Sequence, residues 1–182
     1  MTTRLLRRGV ERPLQAVPGQ GIFVGYASIF GKRDQTGDII MPGAFADSLK
    51  KRGAEGVRML FQHDPSELIG TWIDLHENTR GLYVRGRIDT NVQRGRELKS
   101  LLETGGIDGL SIGFKTVSAT RDRTSQARRI TKVDLWEISL VTFPMLEGAR
   151  VDGVKSRARA RAENLFLKSP TNTQQENTNP WN

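Results

Sequence analysis

The stretch ITKVDLWEISLVTFP, residues 130–144, decides how this chain is read. It is rich in β-branched and aromatic residues and ends at a proline, so it reads as one long strand. Both faces are apolar: Trp136, Ile138 and Leu140 alternate with Val133, Leu135 and Val141. The exception is Glu137, which alternation puts on one face with Ser139 and Val141. A carboxylate in such a strand is costly to bury unless it is paired or hydrogen-bonded. Two readings follow. Glu137 makes a structural ion pair with one of the many arginines, or it orients a histidine.

Working outward, GIDGLSIGF, residues 106–114, sets one serine in an apolar, glycine-flanked run that continues as a strand to Val117. Ser111 is either a nucleophile or a small residue filling a strand. Gly109 and Gly113 allow the close approach of another backbone, such as a peptide lying along the strand, and would equally serve barrel packing. SATRDRTSQARR, residues 118–129, is a polar hairpin loop joining this strand to the long one. Upstream, residues 91–106 form the strongest helix, with Val92, Leu98, Leu101 and Leu102 as its apolar side and glycines at its end. GLYVRGRI, residues 81–88, alternates with Leu82, Val84 and Ile88 on one face and Tyr83, Arg85 and Arg87 on the other. Residues 21–30, 57–65 and 68–75 read as further strands, and residues 42–53 as a short helix led by Pro42 and stopped by Gly53. Many strands and few helices predict a mainly β fold, a closed or nearly closed β-barrel with a few helices packed outside.

Composition narrows the chemistry. Among 182 residues there is no cysteine, which excludes thiol nucleophiles, disulfides and thiolate metal sites. The two histidines, His63 and His76, are too few for a His-rich metal site, and any imidazole base must be one of them. His63 sits where an apolar strand ends before Pro65. It is either a general base half covered by the strand or a surface histidine, with Asp64 and Asp34 as nearby partners. His76 lies in a turn between strands and reads as solvated. Together Ser111, His63 and Glu137 make a serine–histidine–carboxylate set, which nucleophilic catalysis by a hydroxyl requires.

The formal net charge is +8. Residues 1–12 carry +3, residues 150–168 carry +4 and residues 169–182 carry −1, leaving +2 for residues 13–149. The excess charge therefore lies on the ends, which fits arms that dock on an acidic partner better than a nucleic-acid-binding barrel. No run has the apolar length of a membrane span, and residues 1–19 lack the apolar region of a secretory signal, so an intracellular, reducing setting is expected. The expected organisation is a basic arm over 1–20, a domain over 21–151, and a basic then polar tail over 152–182. The tail is expected to be disordered from 155 on apart from one helical turn around Leu165.

Five blocks carry a resemblance. GYASIFGKRDQTGDIIMPGAF, LFQHDPSELIGTW, GLYVRGRI, GIDGLSIGF and LWEISLVTFP follow one another over two thirds of the chain. In this order they resemble the tailed-phage prohead (capsid maturation) serine proteases found with HK97-like capsids. The resemblance implies a fold similar to the herpesvirus assembly proteases, with Ser111 of the SIGF block as nucleophile and His63 of the QHD block as base. In the herpesvirus relatives the third member is a second histidine on a strand after the serine. The equivalent strand here offers Glu137, with Asp134 in reserve. The sequence departs from the family after the last block, reading TFPMLEGARV where a small residue and Asn-Pro are usual, which bears on the domain edge at Val151.

The implied activity is acyl transfer without metal or cofactor. The implied substrates are the scaffold, or the scaffold-like segment of the major capsid protein, and the protease itself, inside the immature capsid in the host cytoplasm. The tail would serve packaging and self-processing. Dimerisation is raised by analogy with the herpesvirus enzymes. The competing readings are a non-enzymatic capsid or scaffold component with basic docking arms, in which Ser111→Ala changes nothing, and a nucleic-acid-binding barrel, in which binding falls steeply with salt.

Overall fold

The computed structural model describes residues 21–122 and 127–153. The expected basic arm (1–20), the tip of the polar loop and the tail beyond 153 lie outside the described residues. Within them the chain runs β1 (Ile22–Ile29), β2 (Asp38–Ile40), α1 (Ala46–Arg52), β3 (Arg58–Phe61), β4 (Asp64–Glu77), β5 (Gly81–Ile88), α2 (Gln93–Thr104), β6 (Gly109–Arg121), β7 (Arg128–Val141) and β8 (Val151–Gly153).

The long strand read from the sequence is β7, and the sheet is organised about it. One edge pairs antiparallel with β6 from Gly109↔Val141 to Arg121↔Arg128. The other edge pairs in parallel with β2 at Asp38–Ile40 and with β3 at Arg58–Phe61. Between those two short strands α1 covers the edge. There the Val133 N–H donates to the Ala44 carbonyl at 3.0 Å and the Leu135 N–H to the Ser48 hydroxyl at 2.8 Å. A backbone donor buried in a sheet must find a partner, and here the helix and the turn before it each supply one where no strand does. The entry to α1 is fixed by Glu77, whose carboxylate accepts the N–H groups of Gly43 and Phe45, so the helix begins at Ala46 and Pro42 precedes it in a turn.

From β3 the sheet continues through β4 and β5 to β1 and β8. It curls around a core that includes Phe23, Phe45, Met59, Leu82, Ile138 and Leu140. β1 and β6 share no ladder. Residues 149–151 span the gap, with the Leu110 N–H donating to the Ala149 carbonyl, the Val151 N–H to Asp108 and the Tyr26 N–H to Arg150. The mainly β fold with few helices is therefore as expected, but the sheet is an open half-barrel. The connecting segment forms only the three-residue β8, too short to complete a ladder.

Several local expectations change for identifiable reasons. A single 14-residue β4 replaces the separate strand over 68–75, and it carries His76 on the strand, not in a turn. The chain reverses at Gln62–His63, before Pro65 can end anything. β6 and β7 run deep into the polar stretch 118–129, because long strands pair wherever the backbone can, whatever the side chains. α2 buries Leu98 and Leu102, while Val92 and Leu101 face solvent. It stops at Gly105, whose φ of +76° suits a residue without a Cβ. β5 alternates as expected.

Ser48→Ala should leave the buried Leu135 N–H without an acceptor. It is expected to destabilise the fold by about 1–3 kcal/mol, read as a lower midpoint of urea unfolding at unchanged slope.

Candidate active site

β7 lies between β6 and β3, so side chains from three adjacent strands converge on one patch. The register sets Ser111 opposite Ser139 and Gly113 opposite Glu137. Directly opposed residues of an antiparallel pair share a face, so all four lie on one side of the sheet. A register shift at this point leaves Trp136 unmatched between Gly113↔Glu137 and Phe114↔Leu135. The bulge breaks the alternation assumed from sequence. Leu135 turns into the core, Trp136 is 52% exposed, and Glu137 is left with Ser139 on a face away from the apolar interior.

His63 arrives from the other edge. Gln62 and His63 form the two-residue turn between β3 and β4, and both have positive φ, +55° and +61°. Such a tight reversal demands left-handed backbone at both positions, which non-glycine residues adopt at a cost of roughly 1–3 kcal/mol each. The strain is held by bonds to β7 and the residue after it. The Gln62 N–H donates to the Leu140 carbonyl at 2.9 Å, the Gln62 amide to Thr142 Oγ1 at 2.7 Å, and the His63 N–H to Ser139 Oγ at 3.1 Å.

The same histidine is held through its ring. His63 Nδ1 lies 2.7 Å from Glu137 Oε1, and the Ser139 hydroxyl donates to Glu137 Oε2 at 2.7 Å. A closed circuit results: His63 backbone to Ser139, Ser139 to Glu137, Glu137 to the His63 ring. Ser139 is fully buried, the Glu137 side chain is 13% exposed and the His63 side chain 41%. The hydrogen bond that the His63 ring donates to Glu137 holds the His63 pKa above its ordinary 6.5, against the opposing effect of partial burial, and the charge of Glu137 adds to the rise. With the Nδ1 proton facing the carboxylate, Nε2 carries the lone pair and faces away from it, which is the tautomer a general base needs.

The structure thus joins two of the three expected residues directly. Ser111 is 4% exposed, opposite Ser139, and makes no side-chain hydrogen bond among the described residues. It lines a cavity of about 280 Å³ beside β6, whose walls mix apolar Ile40, Leu110 and Met145 with charged Lys32, Asp38 and Arg128. Phe143, the residue before Pro144, is almost wholly exposed. The reserve carboxylate, Asp134, takes no part in this patch. It accepts from Arg52 Nε and Nη2 at 2.8–2.9 Å and from the Trp136 indole N–H. Asp64 accepts from Ser66 and Asp34 from Thr36 and Asp38, so neither is the partner of His63. His76 pairs with Asp74 and packs on Tyr83. Among the described residues no arginine pairs with Glu137. Ser139 is the residue that sequence reasoning passed over. Its only signal there was its place two residues from Glu137.

Solved structures of virus proteases superpose on this curled sheet. The bacteriophage T4 capsid assembly protease matches with a TM-score of 0.55 at 16% identity, covering 66% of this chain and 80% of that one. A KSHV protease in complex with a hexapeptide phosphonate inhibitor matches with a TM-score of 0.51 at 16% identity, covering 83% and 78%. At these identities the likeness is one of fold.

The chain belongs to the caudovirus prohead serine protease family, whose profile matches residues 11–164. It is 39% identical over 139 residues to the prohead protease of Enterobacteria phage HK97, covering 75% of this chain and 61% of that protein. It is 29% identical over 133 residues to the prohead protease of Escherichia phage T5, covering 72% and 62%. The chain thus spans about three fifths of the length of these relatives. No helix among the described residues is long and apolar enough to cross a membrane.

In an NMR titration the His63 ring should titrate above 6.5, and Glu137→Gln should bring it down to that value or below. Because the folded pKa is raised, the coupled stabilisation is complete below about pH 6.5 and is lost as pH rises through the folded value. The stability gap between wild type and Glu137→Gln should therefore narrow as pH rises over that interval.

Proposed function

We propose that this chain is a prohead maturation serine endopeptidase in which Ser111 is the nucleophile, His63 the general base and Glu137 the residue that holds the imidazole. The observation that carries the reading is the 2.7 Å bond between His63 Nδ1 and Glu137 Oε1, one strand away from Ser111 in a chain of this family. A structural ion pair needs no serine on the neighbouring strand and no base held in one tautomer.

Nε2 of His63 takes the Ser111 proton as Oγ attacks the peptide carbonyl. The charged imidazole, stabilised by Glu137, then gives that proton to the leaving amine, and an acyl-enzyme remains. Water attacks the ester, its proton passes to His63, and Ser111 leaves with that proton restored. The seryl–imidazole bond forms as the substrate settles against β6, since catalytic hydrogen bonds commonly tighten only on substrate binding. The donors for the oxyanion are backbone N–H groups near Ser111. The chemistry uses no metal or cofactor.

The substrates we assign are the scaffold, or the scaffold-like segment of the major capsid protein, and the protease itself. Cleavage takes place inside the immature capsid in the host cytoplasm. Two likenesses support a capsid substrate: the T4 enzyme is a capsid assembly protease, and a 28% identical segment lies within the capsid polyprotein of Pseudomonas phage PAJU2, covering 70% of this chain and 20% of that protein. A homodimer is the assembly we expect.

Co-expression with the cognate major capsid protein, followed by mass spectrometry, tests this. Wild type should shorten the capsid protein at a defined bond and process itself. Ser111→Ala should reduce both by at least about 10³-fold. Identical masses in both samples would return the chain to the reading of a non-enzymatic capsid component.

A further inference from the structure

We propose that Gly113 is a positioning residue for this site: the space left by its missing side chain is the seat of the Glu137 carboxylate. The inference rests on the assignment of Ser111, His63 and Glu137 made above.

The register sets Gly113 opposite Glu137, and the glutamate side chain lies across the glycine backbone. A Cβ placed on Gly113 would overlap Glu137 Oε1 and would come within 2.7 Å of Cδ and 2.9 Å of Cγ. Contacts this close do not occur, so something must move. The end of an unrestrained glutamate would swing aside, but this one is held at both oxygens. Oε1 is bonded to His63 Nδ1 and Oε2 to the Ser139 hydroxyl, each at 2.7 Å. Moving the carboxylate off Gly113 therefore breaks the circuit that sets the imidazole. Moving β6 instead displaces Ser111, two residues earlier on the same face.

The glycine is needed for room and not for backbone conformation, since Gly113 is not among the positive-φ glycines. Gly109 differs again, packing against the Val141 carbonyl and the Pro144 ring. One strand thus supplies both the hydroxyl and, two residues on, the notch in which the third member of the set rests.

The test uses the full chain with three substitutions: Gly113→Ala, Glu137→Ala, and both together. Labelling of Ser111 by a fluorophosphonate reporter gives the reactivity of the hydroxyl, and thermal unfolding gives stability. Titration of His63 by NMR in a Ser111→Ala background gives the imidazole directly. Gly113→Ala should slow labelling on the order of 10²-fold. It should also move the acid limb of the pH profile, and the His63 titration, to lower pH. With Glu137 already alanine, the space is empty, so adding Gly113→Ala should change the labelling rate less than about twofold and should not lower Tm further.

An unchanged His63 titration in Gly113→Ala, or an equal loss of labelling with and without Glu137, would overturn the seat. Failure of the wild-type chain to label at Ser111 would overturn the hydrolytic assignment, while the His63 titration would still decide whether Gly113 seats Glu137.

Discussion

A carboxylate that is seven-eighths withdrawn from water has to be satisfied, and the way Glu137 is satisfied shapes the rest of this molecule. Its two oxygens take one partner each, the His63 ring and the Ser139 hydroxyl. Ser139 in turn accepts the backbone N–H of His63. The histidine is therefore gripped by backbone and ring, from one strand, through two side chains spaced two apart. This explains how a turn of two non-glycine residues with left-handed backbone persists. The circuit supplies the bonds that the strained geometry needs, and the strain in turn keeps the imidazole from relaxing away from the carboxylate.

That circuit depends on β7 being central. A strand with β3 on one edge and β6 on the other brings together residues 48 positions apart in sequence, His63 and Ser111, with Glu137 between them. The parallel pairing to β3 delivers the turn, and the antiparallel pairing to β6 delivers the serine and the glycine. α1 and the turn before it make the arrangement feasible by taking up the Val133 and Leu135 N–H groups, which neither β2 nor β3 reaches. The open side of the half-barrel leaves the far edge of β6 without a strand partner past Leu110 among the described residues, next to the cavity that Ser111 lines.

Much of the site was legible because chemistry constrains residue type. With no cysteine and two histidines, the inventory of nucleophile, base and carboxylate was short, and Glu137 stood out as the one charge in an otherwise apolar half-strand. The strands and two helices were legible from period and punctuation, as β5 and α2 illustrate. What failed was geometry at single residues. Alternation placed Leu135 on the face of Glu137, but the bulge at Trp136 reverses it. A proline suggested where β3 should end, but the chain had already turned at Gln62–His63. The expected closed barrel became an open one because closure is decided by how a nine-residue connection lies across a gap, and periodicity carries no information about that.

The amino-acid sequence by itself determined the mainly β class, the family resemblance and a short set of candidate site residues, because those depend on composition, period and the order of local blocks. The tertiary structure decided which carboxylate serves which partner: Asp134 was taken by Arg52 and Glu137 by His63, although only two positions separate them. It also decided that Ser139 and Gly113 lie against Glu137. Hydrogen bonds and steric room are relations between strands distant in sequence, and they come into being only when the register of β6, β7 and β3 is set.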